Sequence, residues 1–588
     1  MKKSIKTKLM MNNTNSNLKG STNNRRMFLQ HLAVLGISST LLPCCANTIA
    51  IEENNGITIE TLEAAEKLAD IKLSNGERKE ILEKVKSNVE TFKKFREQQL
   101  GYYSFPSMVF NPVPPGFIYD HEQKPIVFSE VKTQRPQKIE DLAFYCILQL
   151  ANLLKTQQVT SLELTKLYLS RLKRYNNKLK FVVTFTDDLA IKQAKKADKE
   201  IQTGNYKGLL HGIPYGIKDL FSVKGYKTTW GARVFEERII DIDATVVQKL
   251  EAAGAVLVAK LATGTLASGE KWFGGRTKSP WTLKSSGGSS AGPASAVAAG
   301  CVAFAIGTET NGSMVSPVDV CGVTGLRPTF GRVSRYGCMP VSWSFDKVTP
   351  IARTVEDCAI VFNEIQGTDS FDNSVIDLPF NWNSQFDVKK LKIGYYSTYF
   401  EKEKKGIAQD KDQERWFNSR SAYIKNVFDL IKKKGFDLVP LDFQLPHKGE
   451  GIMMLVEAAT AFDEFTRGKM DDEVEDQKWP NYHRVHRFVP AVEYLQAARY
   501  RSLMIQKMNE IMKDVDVYIE MTWSTNWSTN VTGLPIVVVP CGFHLNGQPT
   551  SVTFVGKPYQ EEKVLAVAKM FQDSTDYHLR QPERLNDL

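Results

Sequence analysis

Three short stretches of this 588-residue chain carry side chains suited to chemistry. The first, Leu210-His211-Gly212-Ile213-Pro214-Tyr215-Gly216-Ile217-Lys218-Asp219-Leu220, ends a strand-like apolar run on a lysine. An ammonium buried there must pair or lose its proton; the alternative is an ordinary Lys218/Asp219 surface turn. The second, Ser285-Ser286-Gly287-Gly288-Ser289-Ser290-Ala291-Gly292, has the composition of a flexible linker. It leads, however, into Ala294 to Ala305, almost entirely small and apolar, which reads as a deeply buried helix. A Gly/Ser loop feeding a buried helix reads as a site rather than a tether. It lacks the Gly-Lys-Ser/Thr of a phosphate-binding loop and the Gly-x-Gly-x-x-Gly spacing. Gly288 to Gly292 does match Gly-x-Ser-x-Gly, which would make Ser290 an elbow nucleophile. An elbow needs an apolar strand before it, and Thr277 to Ser286 is polar and contains Pro280. The third stretch, Gly307-Thr308-Glu309-Thr310-Asn311-Gly312-Ser313, is a tight turn after an apolar run ending at Ile306. Such a turn can aim several backbone N–H groups at one point, as an oxyanion hole requires; an ordinary strand-to-loop turn is the alternative.

Together the three stretches resemble the amidase signature family over roughly residues 140–575. The family's Lys–cis-Ser–Ser triad maps onto Lys218, Ser289 and Ser313, in the right order and with the characteristic interval of 24 between the serines. The flanking text fits as well: His211-Gly212-Ile213-Pro214 before the lysine, Gly322 to Thr329 and Gly331-Arg332-Val333-Ser334 after the last serine, then Ile351 to Asp357 and Thr532-Gly533-Leu534-Pro535. The resemblance implies a cis peptide at Gly288–Ser289, Ser313 as nucleophile and backbone N–H groups of Thr310, Asn311, Gly312 and Ser313 as oxyanion hole. It implies neutral Lys218 as base, with a pKa drawn from about 10.4 toward 7–8, and Ser289 as proton relay. The reaction implied is hydrolysis of a linear amide through an acyl-enzyme, with no metal and no organic cofactor.

This chain departs from the family pattern in places. Asn311 stands where a glycine is usual, and Asn tolerates positive φ better than most residues. Ala291-Gly292-Pro293 replaces Gly-Gly-small. Val315 replaces an arginine that binds a substrate carboxylate in some relatives, which argues for a neutral or apolar acyl group. The family spans general amidases, peptide amidases, fatty-acid amide hydrolases and the A subunit of the tRNA-dependent amidotransferase, a glutaminase. The alternatives to a free-standing amidase are thus an A-subunit-like glutaminase or a weakly catalytic amidase-fold binding protein. The substrate expected is a small-molecule or peptide amide. Aromatics of the loops 101–120, 225–240 and 452–490 (Trp230, Phe235, Phe462, Phe465, Trp479, Tyr482) are candidates to line its pocket.

The formal charge of +10 invites a nucleic-acid reading. Seven Lys or Arg and no acid fall in residues 1–50, leaving +3 over the other 538 residues. Nucleic acid is therefore not expected as a partner. The basic segment, Arg25-Arg26 followed by Met27-Phe28-Leu29, the apolar run Leu32–Leu42 and the small Cys44-Cys45-Ala46 describe a twin-arginine-type signal peptide over 1–46. That run is too short for a bilayer span of roughly 20 residues. The expectation is an exported protein, periplasmic or secreted, with no transmembrane segment after maturation. Lipid anchoring at Cys44 or Cys45 is disfavoured by the preceding Pro43 or Cys44. Export also disfavours the cytoplasmic, tRNA-linked member of the family. The remaining six cysteines include no C-x-x-C pair and read as core. His483 and His486 lack a partner at metal-site spacing.

The elements around these stretches indicate an α/β fold: an amidase-signature fold with a central mixed, twisted sheet flanked by helices and an N-terminal helical arm. Residues 47–138 are assigned to the arm and an extended connector, and 139–588 to the amidase domain. In the arm, Leu62, Ala65, Leu68 and Ile71 share one face, and Ser74 is positioned to cap a second helix. We read the arm as a stability or oligomerisation module, a homodimer being the simplest assembly; residues 57–98 faintly resemble the amidotransferase's small helical partner. The connector 101–137 is rich in Tyr, Pro and Gly. Ser161 opens a helix, Phe181–Phe185 is a strand, and Asp187–Thr203 is a charged-faced helix. Ala255–Ala259 and Pro535–Pro540 are buried strands.

Overall fold

A computed structural model of the protein describes residues 56–97, 101–397, 411–445 and 448–587. The expected signal peptide lies outside them. By contacts the chain divides into residues 1–92 and 93–588. In the first unit, Thr58 caps helix Ile59–Ala69 through a reciprocal bond with Thr61, and Asp70 ends it in the left-handed conformation. Helix Asn75–Arg96 follows. Ser74 caps it as expected: its hydroxyl accepts from the Glu77 N–H, and the Glu77 carboxylate accepts from the Ser74 N–H. The Leu62/Ala65/Leu68/Ile71 stripe is only partly covered, since Leu62 is buried while Leu68 and Ile71 are exposed.

The second unit is built on an 11-stranded sheet. Its strands are β1 (Val182–Phe185), β2 (Pro214–Lys218), β3 (Val256–Leu261), β6 (Phe304–Glu309), β7 (Thr324–Arg327), β8 (Lys347–Ala352), β9 (Ile393–Tyr396), β10 (Leu438–Leu441), β11 (Val517–Met521), β12 (Ile536–Phe543) and β13 (Pro549–Gly556). The short pair β4 (Lys271–Trp272) and β5 (Gly275–Arg276) stands apart. The order is β1-β3-β2-β6-β8-β7-β12-β13-β11-β9-β10. Pairings β2/β3, β2/β6, β9/β10 and β9/β11 are parallel and the rest antiparallel, so the sheet is mixed, as expected.

The central strands read as continuous apolar runs because both faces of the sheet are covered. Tyr215, Ile217, Leu257, Phe304, Ile306, Val537 and Val539 belong to the core on one face. Val256, Val258, Ala305, Ile536 and Val538 belong to the other. Helices Ile147–Lys155, Val355–Ile365 and Glu561–Gln572 pack on the first face. The small-residue helix Ala291–Ala298 and helix Val315–Cys321 pack on the second. Helix Ser161–Leu179 starts at a Thr160/Glu163 capping box.

Two sequence expectations shift. The Ala294–Ala305 segment is not one helix: the helix runs Ala291–Ala298, Gly300 turns at positive φ, and Phe304 already begins β6. Small apolar residues satisfy either state, and the turn glycine decides where one ends. The connector, grouped with the arm by composition, belongs to the larger unit; the Tyr103 hydroxyl lies 2.7 Å from Ser222 Oγ, and Val127 bridges Asn383. Among the described residues no helix is long and apolar enough to cross a membrane.

Candidate active site

Parallel strands β2 and β6 pair Tyr215 with Phe304 and Ile217 with Ile306, so their C-terminal ends lie at the same edge of the sheet. This is where open α/β sheets present ligand-binding residues. Lys218 ends β2 and Thr308 and Glu309 end β6. Lys218 and Asp219 are both fully buried, which disposes of the surface-turn reading. Asp219 turns away and pairs with buried Lys260 at 2.7 Å.

Lys218 Nζ meets three hydroxyls: Ser289 Oγ at 2.9 Å, Ser290 Oγ at 3.1 Å and Thr308 Oγ1 at 2.7 Å. Ser289 Oγ lies 3.0 Å from Ser313 Oγ. The Gly288–Ser289 peptide is cis, as the resemblance implied. No side chain fits at position 288, since a Cβ there would stand 2.0 Å from the Gly269 carbonyl oxygen. Burial draws the Lys218 pKa down to about 7, against the opposing pull of the Cys338 thiol and the Glu309 and Asp346 carboxyls. Ser313 is partly accessible, whereas Ser289 and Ser290 are buried.

The loop that carries Ser313 is held by Glu309. Its carboxylate accepts from the N–H groups of Gly312 (2.8 Å), Met314 (2.5 Å) and Val315 (3.3 Å). It also accepts from Asn530 Nδ2 at 3.0 Å and Arg327 Nη1 at 3.2 Å. Burial alone would raise the Glu309 pKa; Arg327 and these donors outweigh it and hold the carboxyl below its ordinary range. Thr310 Oγ1 donates to Asp346 at 2.6 Å, and Asn526 Nδ2 donates to Asn311 Oδ1 at 3.0 Å.

The Amidase family model matches residues 163–529, more than half of the chain. The chain belongs to the amidase signature family. Among curated relatives, the glutamyl-tRNA(Gln) amidotransferase A-type subunit of Roseiflexus castenholzii is 31% identical over 75% of this chain and 98% of its own. That of Geotalea daltonii is 32% identical, over 74% of this chain and 97% of its own. Among solved structures, the peptide amidase of Stenotrophomonas maltophilia superposes with TM-score 0.63 at 25% identity, covering 74% of this chain and 98% of that one. An amidase family protein of Bacillus anthracis does so with TM-score 0.67 at 23% identity, covering 76% and 93%, a likeness of fold.

Within this amidase-signature site, Lys218, Ser289 and Ser313 form one chain of contacts. Ser290 does not sit on an elbow; its hydroxyl is buried and donates to the Thr308 carbonyl at 2.9 Å. Two expectations for the turn need correction. The position with positive φ is Gly312 (φ 89°), not Asn311. A Cβ on Gly312 would also stand 2.7 Å from the Trp523 ring. The Gly312 N–H, expected in the oxyanion hole, is given to Glu309 instead. The N–H groups of Thr310, Asn311 and Ser313 have no protein acceptor among the described residues.

The aromatics expected to line a pocket are mostly core. Trp230, Phe235, Phe462 and Phe465 are buried against one another, and His483 stacks on Phe462 at 4.7 Å. A groove of about 820 Å³ lies instead between the connector and the helices of residues 453–506; Met108, Phe110, Trp343, Met453, Val456 and Tyr494 are among its walls. Trp343 also lines a smaller cavity whose walls include Thr308, Thr310, Asp346 and Lys347, beside the Ser313 loop. Asp346, three residues past Trp343, holds Thr310. Asp346, Trp523, Asn526 and Asn530 were not singled out from sequence. The available signal was Asn526 and Asn530 at i,i+4, two amides on one face of a short segment just before Thr532-Gly533-Leu534-Pro535.

Proposed function

We propose that the protein hydrolyses a carboxamide C–N bond through an acyl-enzyme on Ser313. The observation that carries this reading is the unbroken line Lys218 Nζ–Ser289 Oγ–Ser313 Oγ, with steps of 2.9 Å and 3.0 Å. Neutral Lys218 takes the Ser289 proton as Ser289 takes that of Ser313, and Ser313 Oγ attacks the amide carbonyl. The N–H groups of Thr310, Asn311 and Ser313 receive the oxyanion. Collapse breaks the C–N bond, and Ser289 delivers a proton, replaced from Lys218, to the departing ammonia or amine. Water, deprotonated along the same line, then releases the carboxylate and restores Ser313.

The groove supports a substrate with a sizeable apolar portion, its size being within the ordinary range for small-molecule sites. Val315 is buried and offers no cation for a substrate carboxylate. The test is ammonia release from a panel of acyl, aryl and peptide amides, with labelling of Ser313 by a fluorophosphonate. A wild-type protein that neither labels nor releases ammonia sinks the reading.

The likeness to these amidotransferase chains over nearly their whole length favours a second reading, a glutaminase that works with partner proteins. Compartment separates the two. On the Arg25-Arg26 signal and the apolar run behind it we place the protein outside the cytoplasm, where no tRNA-linked role is available. Fractionation of cells producing the full chain tests this, and retention in the cytoplasm with glutaminase activity that needs partners would favour the second reading.

A further inference from the structure

Ser290 and Thr308 contact Lys218 but take no part in the proton line. A neutral amine has two N–H donors and one lone pair. Lys218 Nζ faces three hydroxyls, so in the neutral state one contact must run toward nitrogen and the other two away from it. Ser290 has no choice of direction. Its Oγ donates its only proton to the Thr308 carbonyl at 2.9 Å and accepts the Thr308 N–H at 3.1 Å. Toward Lys218 it can only accept. Thr308 Oγ1 makes the shortest of the three contacts, 2.7 Å. If it too accepts, both N–H groups are used and the lone pair points at Ser289.

We propose that Ser290 and Thr308 are positioning residues that hold the two N–H groups of neutral Lys218 and so aim its lone pair at the Ser289 hydroxyl. This rests on the hydrolase reading above. The two bonds of the Ser290 hydroxyl to the Thr308 N–H and carbonyl join the loop before helix Ala291–Ala298 to the end of β6. Charged or titratable groups facing Lys218 are Glu309 at the end of β6, Asp346 just before β8 and Cys338 on the intervening loop; the variants below leave them in place.

The protonated lysine donates to all three hydroxyls, and bonds from a charged donor are the stronger ones. Removing one acceptor therefore destabilises the ammonium more than the amine and lowers the lysine pKa. The test is the pH dependence of Ser313 labelling by a fluorophosphonate in the wild type, Ser290→Ala, Thr308→Val and Thr308→Ser. In Ser290→Ala and Thr308→Val we expect the plateau rate to fall about ten- to a hundredfold, the scale of a misaligned catalytic contact, and the acid limb to move to lower pH. Thr308→Ser restores both. A loss of rate with no movement of the limb, or rates within twofold of wild type, overturns the proposal. So does a faster Thr308→Val, which would mean that Thr308 donates to the lone pair and competes with Ser289. Absence of labelling in the wild type removes the hydrolase reading and this proposal with it; labelling in the wild type with unaltered variants removes this proposal alone.

Discussion

At the scale of single residues, the proposed mechanism turns on one lysine buried away from water. Burial sets Lys218 near 7. A base must be unprotonated, so activity should be full above that pH and fall as pH drops through about 7, approaching tenfold per unit below it. A kcat/KM profile that stays flat down to pH 5 would contradict a lysine base. Lys218→Met, close in length and uncharged, should lower kcat/KM by about 10²–10⁴-fold, the usual weight of a general base; amide hydrolysis at the wild-type rate in that variant ends the mechanism. Gly312 is the second single-residue constraint. Its φ of 89° and the Trp523 ring 2.7 Å from a notional Cβ leave no room for a side chain. A non-glycine residue held there costs roughly 1–3 kcal/mol in backbone alone. Gly312→Ala should therefore lose Ser313 labelling while keeping its far-UV circular dichroism, because the damage is confined to the turn.

At the scale of elements, the Ser313 loop is held by a buried ion pair. Glu309 ends β6 and Arg327 ends β7, on opposite sides of β8, and they meet at 3.2 Å with both side chains fully buried. Removing one partner strands a charge, which typically costs 3–5 kcal/mol, while removing both is far milder. Arg327→Met should thus be destabilised by about that amount and Glu309→Gln/Arg327→Met by distinctly less. Chemical denaturation monitored by tryptophan fluorescence measures this, and equal losses in the single and double variants would show that the pair does not act as a unit. The elements themselves were largely legible. Ser74 marks the start of its helix and Ser161 opens another, as the structure has them, and Pro535–Pro540 reads as a buried strand. The Ala294–Ala305 segment misled because small apolar residues suit helix and strand alike, and Gly300 marks the break only once its backbone is seen.

At the scale of the molecule, the proposed hydrolysis would seat its acyl group in the groove of about 820 Å³ between the connector and the helices of residues 453–506. A series of primary amides of rising acyl length should gain in kcat/KM, by up to about tenfold for every two CH₂ groups buried. Val456→Trp, which fills one wall, should cancel that gain for the longest members and spare acetamide-sized ones. No dependence on chain length in the wild type would show that the groove does not hold the acyl group. Aromatic residues in the 225–240 and 452–490 loops looked like pocket candidates because an aromatic side chain serves a core and a binding site equally well. Their burial against one another, Trp230 with Phe235 and Phe462 with Phe465, is a tertiary fact.

The amino-acid sequence by itself determined the family resemblance and the sheet: a lysine ending an apolar strand, serines 24 residues apart on two glycine-bearing turns, and an alternation of helix and strand that demands a covered sheet. These are properties of residue type and local spacing, which survive without knowledge of the partners. Only the tertiary structure decided that Lys218 is dry, that Ser290 can only accept from Lys218, that Gly312 rather than Asn311 needs positive φ, and that the Gly312 N–H belongs to Glu309. It also brought Asn526 and Asn530, more than 200 residues distant in sequence, onto Asn311 and Glu309. Each of these depends on desolvation or on contacts between segments remote in the chain, and neither leaves a periodicity that a single sequence displays.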